Sequence, residues 1–250
     1  MSRRARVQQE PAFLLHHRPF RDSSRILDLY TRDQGRISLF AHGARGGKNG
    51  WAALLRPFTQ LLISYSGSSD GGTLNAAESP GVPASLPPER LLSGFYLNEL
   101  LLKLVPRSDP HPELYECYAH ALESLATQPA EARVLRLFEK RLLDALGYGV
   151  DYSRVESTGQ AVRPDAYYHV RPERGVESET LATREAHVYQ GAHLLALAAE
   201  TLEDPASLAA ARELLAQALA GPLEGRALGS RTVARALRDL KQGPVPGRQT

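Results

Sequence analysis

Arg25-Ile26-Leu27-Asp28-Leu29-Tyr30-Thr31, then Arg32-Asp33-Gln34-Gly35, then Arg36-Ile37-Ser38-Leu39-Phe40-Ala41 reads as two strands around a tight turn. In the second run a period of two places Ile37, Leu39 and Ala41 inward, leaving Arg36, Phe40 and His42 outward. Asp33-Gln34-Gly35 is a hairpin signal, since the glycine accepts the positive φ that a tight reversal needs. Upstream, Ala12 to Arg18 predicts a strand with Phe13, Leu15 and His17 on one face and Leu14, His16 and Arg18 on the other. Downstream, a loop from Gly43 to Gly50 is followed by Phe58 to Ser66 as a strand, a polar turn at Gly67 to Gly72, and Thr73 to Ala77 as a fifth strand. Five short strands with a long third connection predict a small closed barrel of the oligonucleotide-binding (OB) type.

The period then changes. Pro80 to Pro88 holds four prolines and reads as a linker or a stiff entry to helix. Glu89 to Val105 is apolar on nearly every side, so it predicts a buried central helix. Glu113 to Ala126 places Leu114, Cys117, Ala121, Leu122 and Leu125 at helical spacing. Pro129 and Gly147 bracket another helix with Val134, Leu137, Phe138, Leu142 and Leu146 as its buried stripe. Tyr167 to Val170 reads as one strand of a small hairpin, and helical pattern returns over Ala186 to Leu202. Asp204-Pro205 opens a helix that Gly221 stops, and Ser230 caps a last one through Leu240. The expected architecture is α+β in two parts: a five-stranded OB-fold barrel over 1–80, a linker over 81–88, and a mainly helical domain over 89–250 with an irregular segment at about 155–183.

Charge divides along the same line. The 250 residues carry a net charge of +2, but residues 1–80 hold eleven Arg/Lys against six Asp/Glu and the other 170 hold nineteen against twenty-two. A basic barrel suits a polyanion; an acidic helical body suits protein contacts. The single cysteine, Cys117, excludes an intrachain disulfide and a cysteine-rich zinc site, so the expected compartment is the cytoplasm. The basic start Met1 to Arg6 runs into Gln8-Gln9-Glu10 and does not read as a signal peptide, and no run is long enough for a membrane span.

Arg18, Arg21, Arg25, Arg36, Arg45, Lys48 and Arg56 fall in or beside the strands, interleaved with Phe20, Tyr30, Phe40 and Trp51. Cations neutralise phosphates and flat rings stack on unpaired bases, so DNA-binding candidates are Arg18, Arg21, Arg25, Arg36, Phe40, Arg45, Lys48, Trp51 and Arg56. The loop Gly43 to Gly50 offers two cations and open amides to a sugar-phosphate chain, or is merely solvated. It is not a P-loop, because three residues separate Gly43 from Gly47 and Asn49 stands where Ser or Thr must meet magnesium. Gly67-Ser68-Ser69-Asp70-Gly71 spells a hydrolase pattern but lies between strands rather than at a strand-to-helix elbow. His16 and His17 face opposite ways on a strand, and His187 and His193 diverge around a helix, so neither pair chelates. No catalytic cluster or cofactor site emerges. On the Arg133 to Leu146 helix, Arg133, Arg136 and Lys140 share a flank beside Leu143 and Leu146; this is either a rim for an acidic peptide with a hydrophobic end or ordinary solvated charge.

The segments Leu15-His16-His17-Arg18-Pro19-Phe20, Asp28-Leu29-Tyr30-Thr31, Gly35-Arg36, His42-Gly43-Ala44-Arg45 and Leu55-Arg56-Pro57-Phe58, with Gly94 to Leu100, Phe138 to Gly149 and Leu228-Gly229-Ser230-Arg231, closely resemble the RecO family of bacterial recombination mediators. The resemblance runs through nearly the whole chain in order. It implies an OB-fold followed by a helical domain and a non-enzymatic role in recombinational DNA repair at the nucleoid. Members bind single- and double-stranded DNA, anneal complementary strands, act with RecR, and help load RecA onto DNA covered by single-strand-binding protein. That protein's acidic tail docks on the helical domain, and the matching positions are Arg136, Lys140, Leu143 and Leu146, with Lys140 where the family has a leucine-like residue. Some members carry a four-cysteine zinc module; this chain lacks those ligands, so Val155 to Thr183 is expected to be a metal-free replacement. A rival reading is an adaptor whose barrel binds protein, and a more distant one is a hydrolase.

Overall fold

The computed structural model describes residues 5–21, 23–44, 51–68, 71–81, 85–178 and 188–242. Five strands, β1 (Ala5–Phe20), β2 (Ser24–Thr31), β3 (Gly35–Ala41), β4 (Gln60–Ser68) and β5 (Gly71–Glu78), close a barrel in the order β1-β2-β3-β5-β4. All neighbours are antiparallel except β3 and β5, which run parallel at Leu39↔Gly72 and Phe40↔Thr73. This is the expected OB-type barrel. A short helix α1 (Trp51–Leu54) sits between β3 and β4.

Strand β1 is longer than its alternation predicts. It pairs β4 with its first half and β2 with its second, and register shifts at Val7/Glu10 and Leu14/His16 let one strand curve between both partners. Ala12, Phe13, Leu14 and Leu15 are all buried: Ala12 and Leu14 face the barrel core, Phe13 faces outward under the Tyr115 and Tyr118 rings, and Leu15 sits at the second shift. Ala12, Leu14, Leu27, Leu29, Ile37, Leu39, Ala41, Leu61, Ile63, Tyr65 and Leu74 fill the barrel. Gly35 turns the β2-β3 hairpin at φ +68, and a Cβ there would stand 2.4 Å from the Asp109 carbonyl oxygen.

A 3₁₀ turn (Pro88–Arg90) leads into α2 (Leu91–Leu104), followed by α3 (Pro112–Thr127). Both pack on the barrel's outer surface. Phe13 meets Tyr118 edge-on at 5.0 Å and Tyr115 at 5.3 Å, and Tyr30 lies 5.8 Å from Tyr115. Tyr118 donates its hydroxyl to Asn98 Oδ1, while Asn98 Nδ2 donates to the Leu15 carbonyl at 3.0 Å, so the buried amide and hydroxyl at this seam are both used. Cys117 is half-buried rather than part of the buried stripe, because Tyr115 and Tyr118 take the face toward the barrel.

The described residues form two compact units, one from Met1–Gln128 with Arg226–Thr250 and one from Pro129–Gly225. In the first unit α7 (Gly229–Gln242) returns to pack on α2. Glu99 accepts the backbone amides of Gly229 and Ser230 at 2.9 and 3.0 Å and the Ser230 hydroxyl at 2.6 Å, and pairs with Lys103 at 3.0 Å. The cap of α7 is therefore Glu99, 130 residues upstream, and Ser230, expected as the cap, lies inside the first turn. Burial alone would raise the Glu99 pKa, but the hydrogen bonds from Ser230 and Gly229 and from Lys103 outweigh it and hold it at about 2. A depressed carboxylate pKa stabilises above its unfolded value near 4.5 and loses that contribution as pH falls toward 2. Glu99→Ala is accordingly expected to cost about 2 kcal/mol at pH 7 and almost nothing near pH 2. Urea titration of both proteins across that pH range, with amide exchange over α7, checks it.

The second unit contains α4 (Glu131–Ala145), a three-stranded sheet β7-β6-β8 built from β6 (Tyr167–Arg171), β7 (Gly175–Ser178) and β8 (Val188–Gln190), then α5 (Gly191–Ala198) and α6 (Pro205–Leu223). The expected hairpin at Tyr167 is present. Three residues read as the return of helix, Val188-Tyr189-Gln190, are instead an edge strand, because Tyr189 and its neighbours pair with β6. Asp204 caps α6 by accepting from the Ser207 amide at 2.8 Å, with Pro205 in the first turn as expected. Gly221 does not stop the helix; it continues to Leu223 and ends where Glu224 turns left-handed. No described helix is long and apolar enough to cross a membrane, and no group of three or more His, Cys, Asp or Glu among the described residues could hold a metal.

Candidate nucleic-acid interface

The barrel's outer surface is divided by what covers it. Toward α3, the outward residues Phe13 and Tyr30 are buried under aromatic rings. Farther along the same strands, Arg18 lies opposite Ile26, Ile26 opposite Phe40, and Phe40 opposite Thr73, so four strands contribute to one row. Directly paired residues project to the same side of a sheet. Arg18 is exposed and Phe40 is 37% exposed, a high value for a phenyl ring. Phe20 stands two residues beyond Arg18, and its ring meets that of Phe40 at 5.2 Å with a 60° tilt. The Arg21 guanidinium lies 5.3 Å over the Phe20 ring. A cation, a ring, a second ring and another cation thus sit together on open sheet.

The other candidates separate from this row. Arg25 lies opposite both Pro19 and Ala41, and Ala41 is fully buried in the barrel, so Arg25 projects on the interior side at the barrel's rim. There it stands near His17, whose pKa is lowered by burial first and by the Arg25 charge second. Arg36 is half-buried. Its Nε donates to the Val105 carbonyl at 2.9 Å, and its own carbonyl accepts from the Ser108 amide at 3.0 Å, so it anchors the 105–108 segment along β3. Trp51 is half-buried, packed from α1 against the barrel core. Arg56 is exposed beside a groove formed with Phe58 and Phe95. Arg45 and Lys48 lie outside the described residues. Among the described residues no ion pair engages Arg18, Arg25 or Arg56.

The cationic flank of α4 is already committed to carboxylates. Arg136, only 9% exposed, donates from Nη2 to Oε1 of fully buried Glu139 at 2.6 Å. Lys140 pairs with Asp144 at 2.8 Å and reaches Glu200 at 3.7 Å. Arg141 forks onto both oxygens of Glu200, and Arg133 donates to the Glu200 carbonyl. The hydrogen bonds from Arg141 come first among the causes that hold the Glu200 pKa below its ordinary value. Leu143 is buried and Leu146 half-buried. Of the four positions, Lys140 and Leu146 therefore reach the surface, and Arg136 and Leu143 lie beneath it.

Residues 5–80 match the family model described as Recombination protein O N terminal, and residues 87–232 match Recombination protein O C terminal. The DNA repair protein RecO of Methylococcus capsulatus is 41% identical over 231 residues, covering 92% of this chain and 94% of that protein. That of Nitrosococcus oceani is 39% identical over 235 residues, covering 94% and 96%. The chain belongs to the RecO family.

Two features of this RecO-family DNA repair protein escape strand and helix periodicity. Arg107 donates to Ser38 Oγ at 2.7 Å and pairs with Asp28 at 3.4 Å, and Ser38 in turn donates to Asp28 at 2.6 Å. This places a cation from the connection after α2 on the barrel's outward face. Glu200 is the second; its left-handed backbone at φ 58 turns its carbonyl to Arg133 while its carboxylate takes Lys140 and Arg141. No pattern near Glu200 in the sequence announces that role.

Proposed function

We propose that this protein is a non-enzymatic recombination mediator in DNA repair. It binds single- and double-stranded DNA on the open barrel face, anneals complementary strands, and acts with RecR to promote RecA loading on DNA coated by single-strand-binding protein. The observation that carries this reading is the uncovered row of Arg18, Phe20, Arg21 and Phe40, where cations stand beside stacked rings. The guanidinium groups neutralise phosphates and release counterions, and the rings offer stacking surface to unpaired bases. Arg45 and Lys48, in the connection after β3, are proposed as further phosphate contacts. Annealing follows from lowered repulsion between two strands and needs no bond-making.

The test is a fluorescence titration with a labelled single-stranded oligonucleotide at several salt concentrations. The logarithm of affinity is expected to fall linearly with the logarithm of salt, with a slope of about −0.7 per phosphate neutralised, and Arg18→Ala is expected to reduce that slope by about one phosphate's share. Salt-insensitive binding would favour the protein-binding adaptor, and cleavage of the oligonucleotide with magnesium would reveal a hydrolase.

The acidic tail of single-strand-binding protein is received on α4 at Lys140 and Leu146, with Arg136 and Leu143 beneath the surface supporting that face. Glu200 occupies the cations such a tail would seek. Glu200→Ala is therefore expected to strengthen capture of the tail, by roughly fivefold for an ion-pair competitor worth about 1 kcal/mol. Pull-down with the coating protein, with and without its terminal acidic residues, measures it; unchanged capture would remove α4 from the reading.

A further inference from the structure

A groove of about 420 Å³ opens where the entry to β4 meets α2. Its floor is Phe58, Thr59 and Leu86, each at most 4% exposed, and its rim is Leu91, Phe95 and Arg56, with Leu91 37% and Phe95 44% exposed. Gly94 makes the floor possible. A Cβ at that position would stand 2.5 Å from Leu86 Cδ1 and 2.8 Å from Phe58 Cε1, so both side chains press against bare helix backbone. Phe58 itself holds a left-handed backbone at φ +68, unusual for a bulky residue, and its ring meets Phe95 edge-on at 5.0 Å. Strain of this kind persists only where packing enforces it, and it gathers at ligand clamps.

The lining says what fits. It is mainly apolar, with Thr59 and Ser85 as its neutral polar members; among the described residues it contains no Asp or Glu, and its charged member is the Arg56 cation at the rim. A nucleobase would bury ring nitrogens and carbonyls against walls with too few partners, whereas adjacent aliphatic and aromatic side chains lose nothing there. We propose that this groove is a docking site for a short segment of a partner protein that presents two neighbouring bulky apolar residues flanked by a side-chain carboxylate. The apolar pair enters between Leu91 and Phe95, and the carboxylate meets Arg56. The site shares no residue with the row of Arg18, Phe20, Arg21 and Phe40, so the effects of Leu91 and Phe95 variants are read independently of the DNA-binding reading.

The test uses the full-length protein and a fluorescein-labelled hexapeptide, Gly-Leu-Phe-Glu-Glu-Gly, blocked at its C-terminus so that only side-chain carboxylates are anionic. Anisotropy is expected to show saturable binding, weakened at least tenfold by Phe95→Ala, by Leu91→Ser, and by Gln in place of both Glu in the peptide, while oligonucleotide affinity of Phe95→Ala stays at the parent value. Should Phe95→Ala lose its helical circular dichroism, Leu91→Ser carries the reading, since that side chain is already at the surface. Binding unaffected by either substitution, or no saturation below about 1 mM, would overturn the proposal. So would an oligonucleotide that displaces the peptide and binds Phe95→Ala more weakly, which would make the groove a base site. Sedimentation showing a dimer that Phe95→Ala dissolves would assign it to a second copy of the chain instead.

Discussion

Arg136→Ala is expected to destabilise the 129–225 unit by about 3–5 kcal/mol. Arg136 is 9% exposed and its guanidinium answers a carboxylate with no exposure at all, Glu139, one helical turn away at 2.6 Å. Deleting the cation leaves a buried anion with its nearest countercharge gone. Truncating both residues to apolar ones of similar volume, Arg136→Met with Glu139→Leu, is expected to recover most of the loss, because neither charge then needs burying. Urea unfolding of the single and double variants measures both quantities. The comparison also separates two roles for Arg136. If the single variant loses tail capture and stability together while the double variant regains stability and capture alike, the residue acts through the fold rather than by touching the tail.

Phe40→Ala is expected to weaken binding of single-stranded oligonucleotide by about thirtyfold, the middle of the roughly 1–3 kcal/mol that a stacked base contributes. Folding stability should fall only modestly, since the ring is 37% exposed and lies on the barrel's outward face rather than in its core. Phe20→Ala, which removes the ring beneath it and the seat of the Arg21 guanidinium, is expected to weaken binding comparably. The loss should persist at high salt, because stacking releases no counterions, whereas the loss from Arg18→Ala should shrink. A Phe40→Ala protein that binds oligonucleotide as tightly as its parent would remove stacking from the account and leave only phosphate contacts.

How much of this was legible follows from which residues carry their partners nearby. β2 and β3 are joined by a short turn, so their alternation records the burial they have; Ile37, Leu39 and Ala41 are inside and Phe40 is outside, as read. The same parity already separates Arg25 from Arg18 once the strands are paired, since Arg25 shares a side with Ala41. β1 extends beyond the alternation visible in its sequence because two bulges interrupt its period. Arg36 could not be recognised as an anchor, because Val105 lies 69 residues on and lends only a backbone carbonyl. On α4 the spacing of Arg136 and Glu139 was visible as i,i+3, but that both lie beneath the surface depends on what packs above them. The change of hydrophobic period near residue 80 marks where strand gives way to helix; compact packing divides instead at residues 129 and 225, because α2, α3 and α7 belong with the barrel.

The docking of α7 on α2 makes the chain's order of assembly interleaved. Its first compact unit is begun by residues up to 128 and finished only by those after 225, with the whole second unit synthesised in between. On the ribosome, the carboxylate of Glu99 must wait for a helix that emerges 130 residues later. Until then the surface of α2 that α7 will cover faces water bare, and a nascent chain stalled before residue 229 would present that sticky flank to chaperones while its barrel was already complete.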